Sequence, residues 1–224
     1  DDYDLERTGG RTKFAYTIGD YTRLYWNYNL ERYTVDSIDA SASQDIQDIV
    51  GSNWSSAVNV SAVRDTTNRR LFPTRGSKNT LAVEYSGGPL GGDDNFIKPS
   101  YELSFYQSLI ADFVFGWHGK YSHLFENTGE PVPDFERFYL GGINTVRGYD
   151  YQDISSEDEN GDQIGGYKEF YTNTEISYPL IKNMGLHVLA FFDAGNVWNK
   201  DEAIDTDLYK SVGGGIRWNS PMGP

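Results

Sequence analysis

Acids dominate the reactive side chains of this chain, yet no pair of them is spaced for catalysis. Asp and Glu total 33 against 19 Lys and Arg, and none of the 224 residues is cysteine. Without thiols there is no cysteine nucleophile, no thiolate zinc site and no disulfide framework. His118, His123 and His187 lack metal-ligand spacing and read as loop or wet-face residues. Asp158, Asn160 and Asp162 have the spacing that opens a calcium loop. Gln163 stands where that loop needs glycine, and no glutamate closes it, so the segment reads as a solvated loop. A glycosidase pair is available by inventory, but nothing sets the separation it needs. There is no Gly-rich phosphate loop and no Gly-x-Ser-x-Gly elbow. The expectation is a protein that is not an enzyme and uses neither metal nor cofactor.

A different chemistry is available at Phe138-Tyr139-Leu140-Gly141-Gly142-Ile143-Asn144-Thr145-Val146-Arg147-Gly148-Tyr149. Downstream, Glu175 and Asp193 fall on the polar faces of two alternating segments. If those polar faces line a lumen, a loop folding inward would set the Arg147 guanidinium between the two carboxylates. Arginine suits that place because it stays charged and presents a planar fork. In a partly dried lumen such a lock is stronger than a surface pair, and losing one partner strands a charge. Gly141, Gly142 and Gly148 would permit tight turns beside it, with ordinary loop glycines as the plainer reading. On spacing alone the plainer reading of Arg147, a surface arginine, is also favoured.

The elements that must position these groups are strands. Apolar and polar residues alternate from Thr12, Arg23, Ala57, Thr80, Tyr101, Phe113, near Phe170, Leu186 and Ser211, about nine segments in all. Leu24, Trp26, Tyr28 and Leu30 alternate with Arg23, Tyr25, Asn27 and Asn29. Several segments run longer than strands of soluble sheets, which average roughly 5–6 residues. Some connections are short, as at Gly19-Asp20 and Lys182-Asn183-Met184-Gly185; others are long and polar, as at 36–52, 125–146 and 149–168. Long alternating strands with short turns on one side and long loops on the other predict an all-β fold, a transmembrane antiparallel β-barrel. Trp26, Trp117, Trp198 and Trp218 are candidates for its lipid belt, with core packing as the alternative for each. The rival fold is a soluble β-sandwich with one wet face per sheet, a carbohydrate-binding module using exposed tyrosines.

Composition supports β structure. Hydrophobic residues make up 38% and aromatics 15%, with 17 Tyr and 24 Gly; disordered chains lack such aromatics. A net charge of −14 argues against nucleic acid as a partner. No apolar run is long enough for a transmembrane helix, and the acidic N-terminus is not a signal peptide.

Five ordered motifs carry a resemblance. Val146-Arg147-Gly148-Tyr149 is similar to the Val-Arg-Gly-Phe/Tyr motif of the BamA-like outer-membrane assembly and translocation pores. Phe191-Phe192-Asp193-Ala194-Gly195-Asn196-Val197-Trp198 resembles that family's Phe-x-Asp-x-Gly-x-Val-Trp strand. Gly213 to Pro224, Phe72-Pro73-Thr74-Arg75-Gly76 and Thr174-Glu175-Ile176-Ser177-Tyr178-Pro179 resemble further strands and turns of the family, and together the five span about 150 residues. The resemblance implies a 16-stranded barrel in the parent protein, preceded by periplasmic POTRA domains, with about nine strands present in 1–224. The expectation is a partial C-terminal barrel domain, without POTRA domains, terminal strands or seam.

The resemblance further implies that the motif loop enters the lumen and that Arg147 contacts Glu175 and Asp193. It implies a Gram-negative outer-membrane insertase, opening at a weak seam and thinning the bilayer. Its partners would be outer-membrane lipid, unfolded outer-membrane client proteins, periplasmic chaperones and accessory lipoproteins. The alternatives are a TamA-like barrel and a two-partner secretion pore; the Ser220-Pro221-Met222-Gly223-Pro224 end favours the assembly branches.

Overall fold

A computed structural model describes residues 4–36, 50–127, 132–157, 161, 163–181 and 184–218. The Asp158, Asn160 and Asp162 loop and the Ser220–Pro224 end lie outside the described residues, as do Lys182 and Asn183 of the last short turn.

Ten strands form one antiparallel sheet: β1 (Asp4–Ile18), β2 (Thr22–Asp36), β3 (Gly51–Asp65), β4 (Gly76–Ser86), β5 (Phe96–Ser108), β6 (Val114–His123), β7 (Phe125–Glu126), β8 (Lys168–Ile181), β9 (Leu186–Trp198) and β10 (Tyr209–Trp218). They pair in the order β1-β2-β3-β4-β5-β6-β8-β9-β10. β7 pairs with β5 in the register of β6. It continues β6 past Leu124, whose N–H bonds Tyr167 and whose side chain is buried. All nine expected strands are present, and most are longer than the alternation showed. β1 begins at Asp4 rather than near Thr12 because Arg7 to Arg11 are polar or glycine on both faces. A stretch without an apolar face gives no period-two signal, yet fifteen consecutive pairs tie β1 to β2.

The sheet is apolar on the face that a soluble protein would hide. Phe14, Trp26, Val60 and Val83 lie on adjacent strands, in register and exposed. Val188 and Ile216 do the same across β9 and β10, and Ile176 is exposed on the same face of β8. A barrel in lipid requires this arrangement, with lipid taking the role of a second layer. A β-sandwich requires a second sheet, and the described residues form only one.

The opposite face carries the buried residues. Leu140, Val146 and Ile154, from the connection between β7 and β8, pack on Tyr171 of β8 and Val197 of β9. Val132 of the same connection joins Phe96, Leu124 and Tyr167 in a second cluster. The connection touches both ends of the strand order. Arg7 of β1 lies 4.8 Å over the Phe135 ring and 3.8 Å from Glu136, while Tyr149 packs edge-on against Tyr209 of β10. One segment can reach both strands only if the sheet curls around it. The long loop is the core of this curved sheet, and the concave polar face is the lumen.

Four candidates for the lipid belt divide accordingly. Trp26 and Trp218 are exposed on the outer face, and Trp218 donates from Nε1 to the Met184 carbonyl at the short-turn end. Trp117 is half-buried, lying over Gly119. Trp198 is a correction: it is only 3% exposed, covered by the 199–208 connection, where its Nε1 donates to Asp205. Its position at the long-loop end of β9 puts it under a loop instead of in lipid.

Candidate functional site

Register places the carboxylates. Asn173, Asp193 and Ser211 stand side by side on β8, β9 and β10, and the next inward row is Glu175, Phe191 and Gly213. Paired residues point to the same face of a sheet, so the acids share the lumen wall. The motif loop meets them there. Gly141 N–H donates to Thr145 Oγ1, whose hydroxyl donates back to the Gly141 carbonyl, and Gly142 N–H bonds Tyr149. This closes a tight turn that thrusts residues 143–148 forward. Asn173 anchors its far side by donating to the Thr145 carbonyl. Gly141, Gly142 and Gly148 have φ of +110°, +87° and +90°. At Gly141 the requirement is strictest, because a Cβ would lie 2.1 Å from the Asp150 carbonyl oxygen.

Arg147 projects from this turn into the acidic wall. Its Nε and Nη2 donate to the two oxygens of Asp193, each at 2.6 Å, and its backbone N–H adds a third bond at 3.1 Å. Nη1 reaches Glu175 Oε1. The guanidinium carbon lies 3.7 Å above the Phe191 ring. Both fork faces and one π face are thus occupied, which a lysine could not achieve. Asp193 is fully buried, so its charge depends on these donors. Burial opposes the Arg147 charge, but the hydrogen bonds it donates to Asp193 and Glu175 outweigh it and hold the guanidinium above its ordinary pKa.

Two members of the site were not expected from the sequence. Arg217 of β10 donates from both terminal nitrogens to Glu175, at 3.0 Å each, so this carboxylate serves two arginines. Its place on the wet face of the last strand is visible in the sequence; its reach to Glu175 is not, because parity does not say how far a long side chain extends along the wall. Phe191 was visible as part of the Phe-x-Asp motif. Gly213 leaves room for its ring, since a Cβ there would sit 2.6 Å from it. A third basic group, Arg137, is buried under the loop, donating to the carbonyls of Val132 and Ile164 and facing the Tyr167 ring. Arg217→Ala should weaken the site only modestly, by about 0.5–1 kcal/mol, because its side chain is half exposed and Arg147 still neutralises Glu175. Proteolysis of the loop in membranes should therefore change little in that variant.

The histidines do not gather. His118 Nδ1 shares a hydrogen bond with Ser104 Oγ on the lumen wall, His123 stacks on Phe125, and His187 stacks on Phe72. Among the described residues no group of acids and histidines is arranged to hold a metal ion.

Curvature, an apolar exterior and a loop held in the lumen are the features of a β-barrel that spans a membrane. The Omp85 superfamily domain matches residues 1–224. The chain belongs to the Omp85 superfamily. Among Omp85 relatives, the outer membrane protein assembly factor BamA of Nitratidesulfovibrio vulgaris is 39% identical over the whole chain. The sorting and assembly machinery component 50 homolog of Bos taurus is 31% identical over 66% of the chain. The chain spans 29% of the first relative's length and 33% of the second's. In fold, it is similar to the crystal structure of BamA from Haemophilus ducreyi lacking POTRA domains 1-3. The TM-score is 0.84 at 18% identity, covering 99% of this chain and 50% of that one. This Omp85 chain is therefore a β-barrel segment of the Gram-negative outer membrane.

Proposed function

We propose that the protein carrying this chain folds and inserts β-barrel proteins into the outer membrane, and that the arginine loop is locked in its lumen for that purpose. The observation that supports this reading is a lumen occupied by its own loop. A barrel whose axis is filled is poorly suited to passing a chain along that axis. The remaining route is lateral, where an unpaired strand edge can template an incoming strand by main-chain hydrogen bonds. The inserted loop contributes by bracing the curved wall. It ties β1 through Arg7, β5 through Lys98, and β8, β9 and β10 through Arg147 and Tyr149, so wall and loop move together.

The work is strand exchange and burial, with no covalent step, and it requires no catalytic group, metal or cofactor. Unfolded outer-membrane clients are the substrates. Outer-membrane lipid, periplasmic chaperones and accessory lipoproteins are the partners. Identity to relatives named assembly factors favours this over a TamA-like or two-partner secretion pore.

The test uses the full-length protein in liposomes. Urea-unfolded client barrels should acquire heat-modifiable gel mobility faster than with empty vesicles of the same lipid. Equal rates would overturn the reading.

A further inference from the structure

The connection between β3 and β4, residues 66–75, leaves the short-turn side of the sheet and does not stay with its own strands. Phe72 stacks on His187 of β9, with ring centroids 4.3 Å apart and planes 5° from parallel. In the strand order, β5, β6 and β8 separate β4 from β9. At about 4.8 Å per strand, that is roughly 19 Å along the wall. The turn therefore spans the lumen mouth. His187 lies on the same face as Asp193, three alternations further along β9, so the stack is inside the barrel.

The turn is built to hold this position. Asn68 Oδ1 accepts the N–H groups of Thr74 and Arg75, and Asn68 Nδ2 donates to Thr74 Oγ1. Ser108 Oγ donates to the Thr74 carbonyl, tying the turn to the end of β5. Phe72 itself has φ +49°, a left-handed conformation that a bulky residue adopts only under constraint. Its ring is what the constraint positions. The turn also divides space. Arg70, Leu71 and Pro73 line a cavity of about 430 Å³ shared with Arg147 and Glu175. The same three residues line a second cavity, of about 1040 Å³, against β2 to β5. They form the partition between the two.

We propose that this turn is a second closure of the lumen, latched by Phe72 on His187, acting from the short-turn side separately from the arginine loop on the other. Release of the stack lets the turn swing back to β3 and β4 and joins the two cavities into one path. Arg69, Arg70 and Leu71 are exposed on the turn, so a partner arriving at that mouth could take hold of it.

Single-channel conductance of the full-length protein in planar bilayers tests the latch, whereas client folding tests the proposed function, so either can fail alone. Phe72→Ala and His187→Ala should each raise the mean conductance several-fold. The double variant should add nothing, because the same contact is removed. Phe72→Trp, which can still stack, should stay at the unsubstituted level. Unchanged conductance in both alanine variants, with heat-modifiable mobility intact, would overturn the proposal. If the alanine variants fail to insert, cysteines at 72 and 187 in the otherwise unaltered protein decide. A short bis-thiosulfonate should link them and keep conductance low until reduction. Absence of any linkage would equally overturn it.

Discussion

Arg147→Ala in the full-length protein should leave the barrel inserted but release the loop and sharply reduce client assembly. The substitution removes three bonds from Asp193 and Glu175 and leaves only the backbone N–H on Asp193. Glu175 keeps Arg217; Asp193 has no second arginine among the described residues and no exposure to water. Stranding a buried carboxylate in this way costs about 3–5 kcal/mol. That cost falls on the docked loop, because the undocked loop lets water reach Asp193. Protease added to membranes should cut within 132–157 much faster than in the unsubstituted protein. Arg147→Lys should recover little of the loss, since a point charge cannot serve both oxygens of Asp193 and lie over Phe191. Unaltered proteolysis in Arg147→Ala would show that the lock does not hold the loop.

Gly141→Val should be as damaging by a route that involves no charge. A side chain at φ +110° costs about 1–3 kcal/mol in backbone strain. Its Cβ also collides with the Asp150 carbonyl, so the two arms of the loop must separate. They meet at this point, where Leu140 and Ile154 exchange backbone bonds and pack with Val146. Forcing them apart opens the cluster and withdraws Arg147 from the wall. The expected phenotype is that of Arg147→Ala, with rapid loop proteolysis and low assembly. Gly142→Ala should be milder, because its nearest neighbour would be an ordinary contact at 3.6 Å. Equal effects at 141 and 142 would argue against a steric origin.

Alternation was enough to show the strands, because lipid on one face and lumen on the other impose a period of two. It failed where both faces are polar, as at Arg7 to Arg11, and where a loop covers an outward position, as at Trp198. Neither condition leaves a mark on the local pattern. The site was legible in part. Glu175 and Asp193 could be assigned to a wet face from parity alone. Their meeting with Arg147 could not, because 28 and 46 residues of sequence separate them from it and spacing says nothing of a loop's path. That expectation came from the resemblance. Arg217 shares the same wet face, but its contact with Glu175 depends on how far its side chain extends, which parity does not give. The span of Phe72 across the mouth is a tertiary fact with no local signal beyond its place in a turn motif.

The measurement that bears most directly on a loop held in the lumen is a disulfide between its tip and the wall. A Cβ at position 148 would lie 3.6 Å from the Ser211 Cβ, within the range of a disulfide. The left-handed backbone at 148 adds strain of about 1–3 kcal/mol for a cysteine, comparable to or below the strength of the lock. Full-length protein carrying Gly148→Cys and Ser211→Cys, oxidised in native membranes, should form the bond in most molecules. Its unheated mobility should be that of a folded barrel. No bond under oxidising conditions, with both thiols open to a membrane-impermeant reagent from outside, would mean that the loop lies outside the lumen.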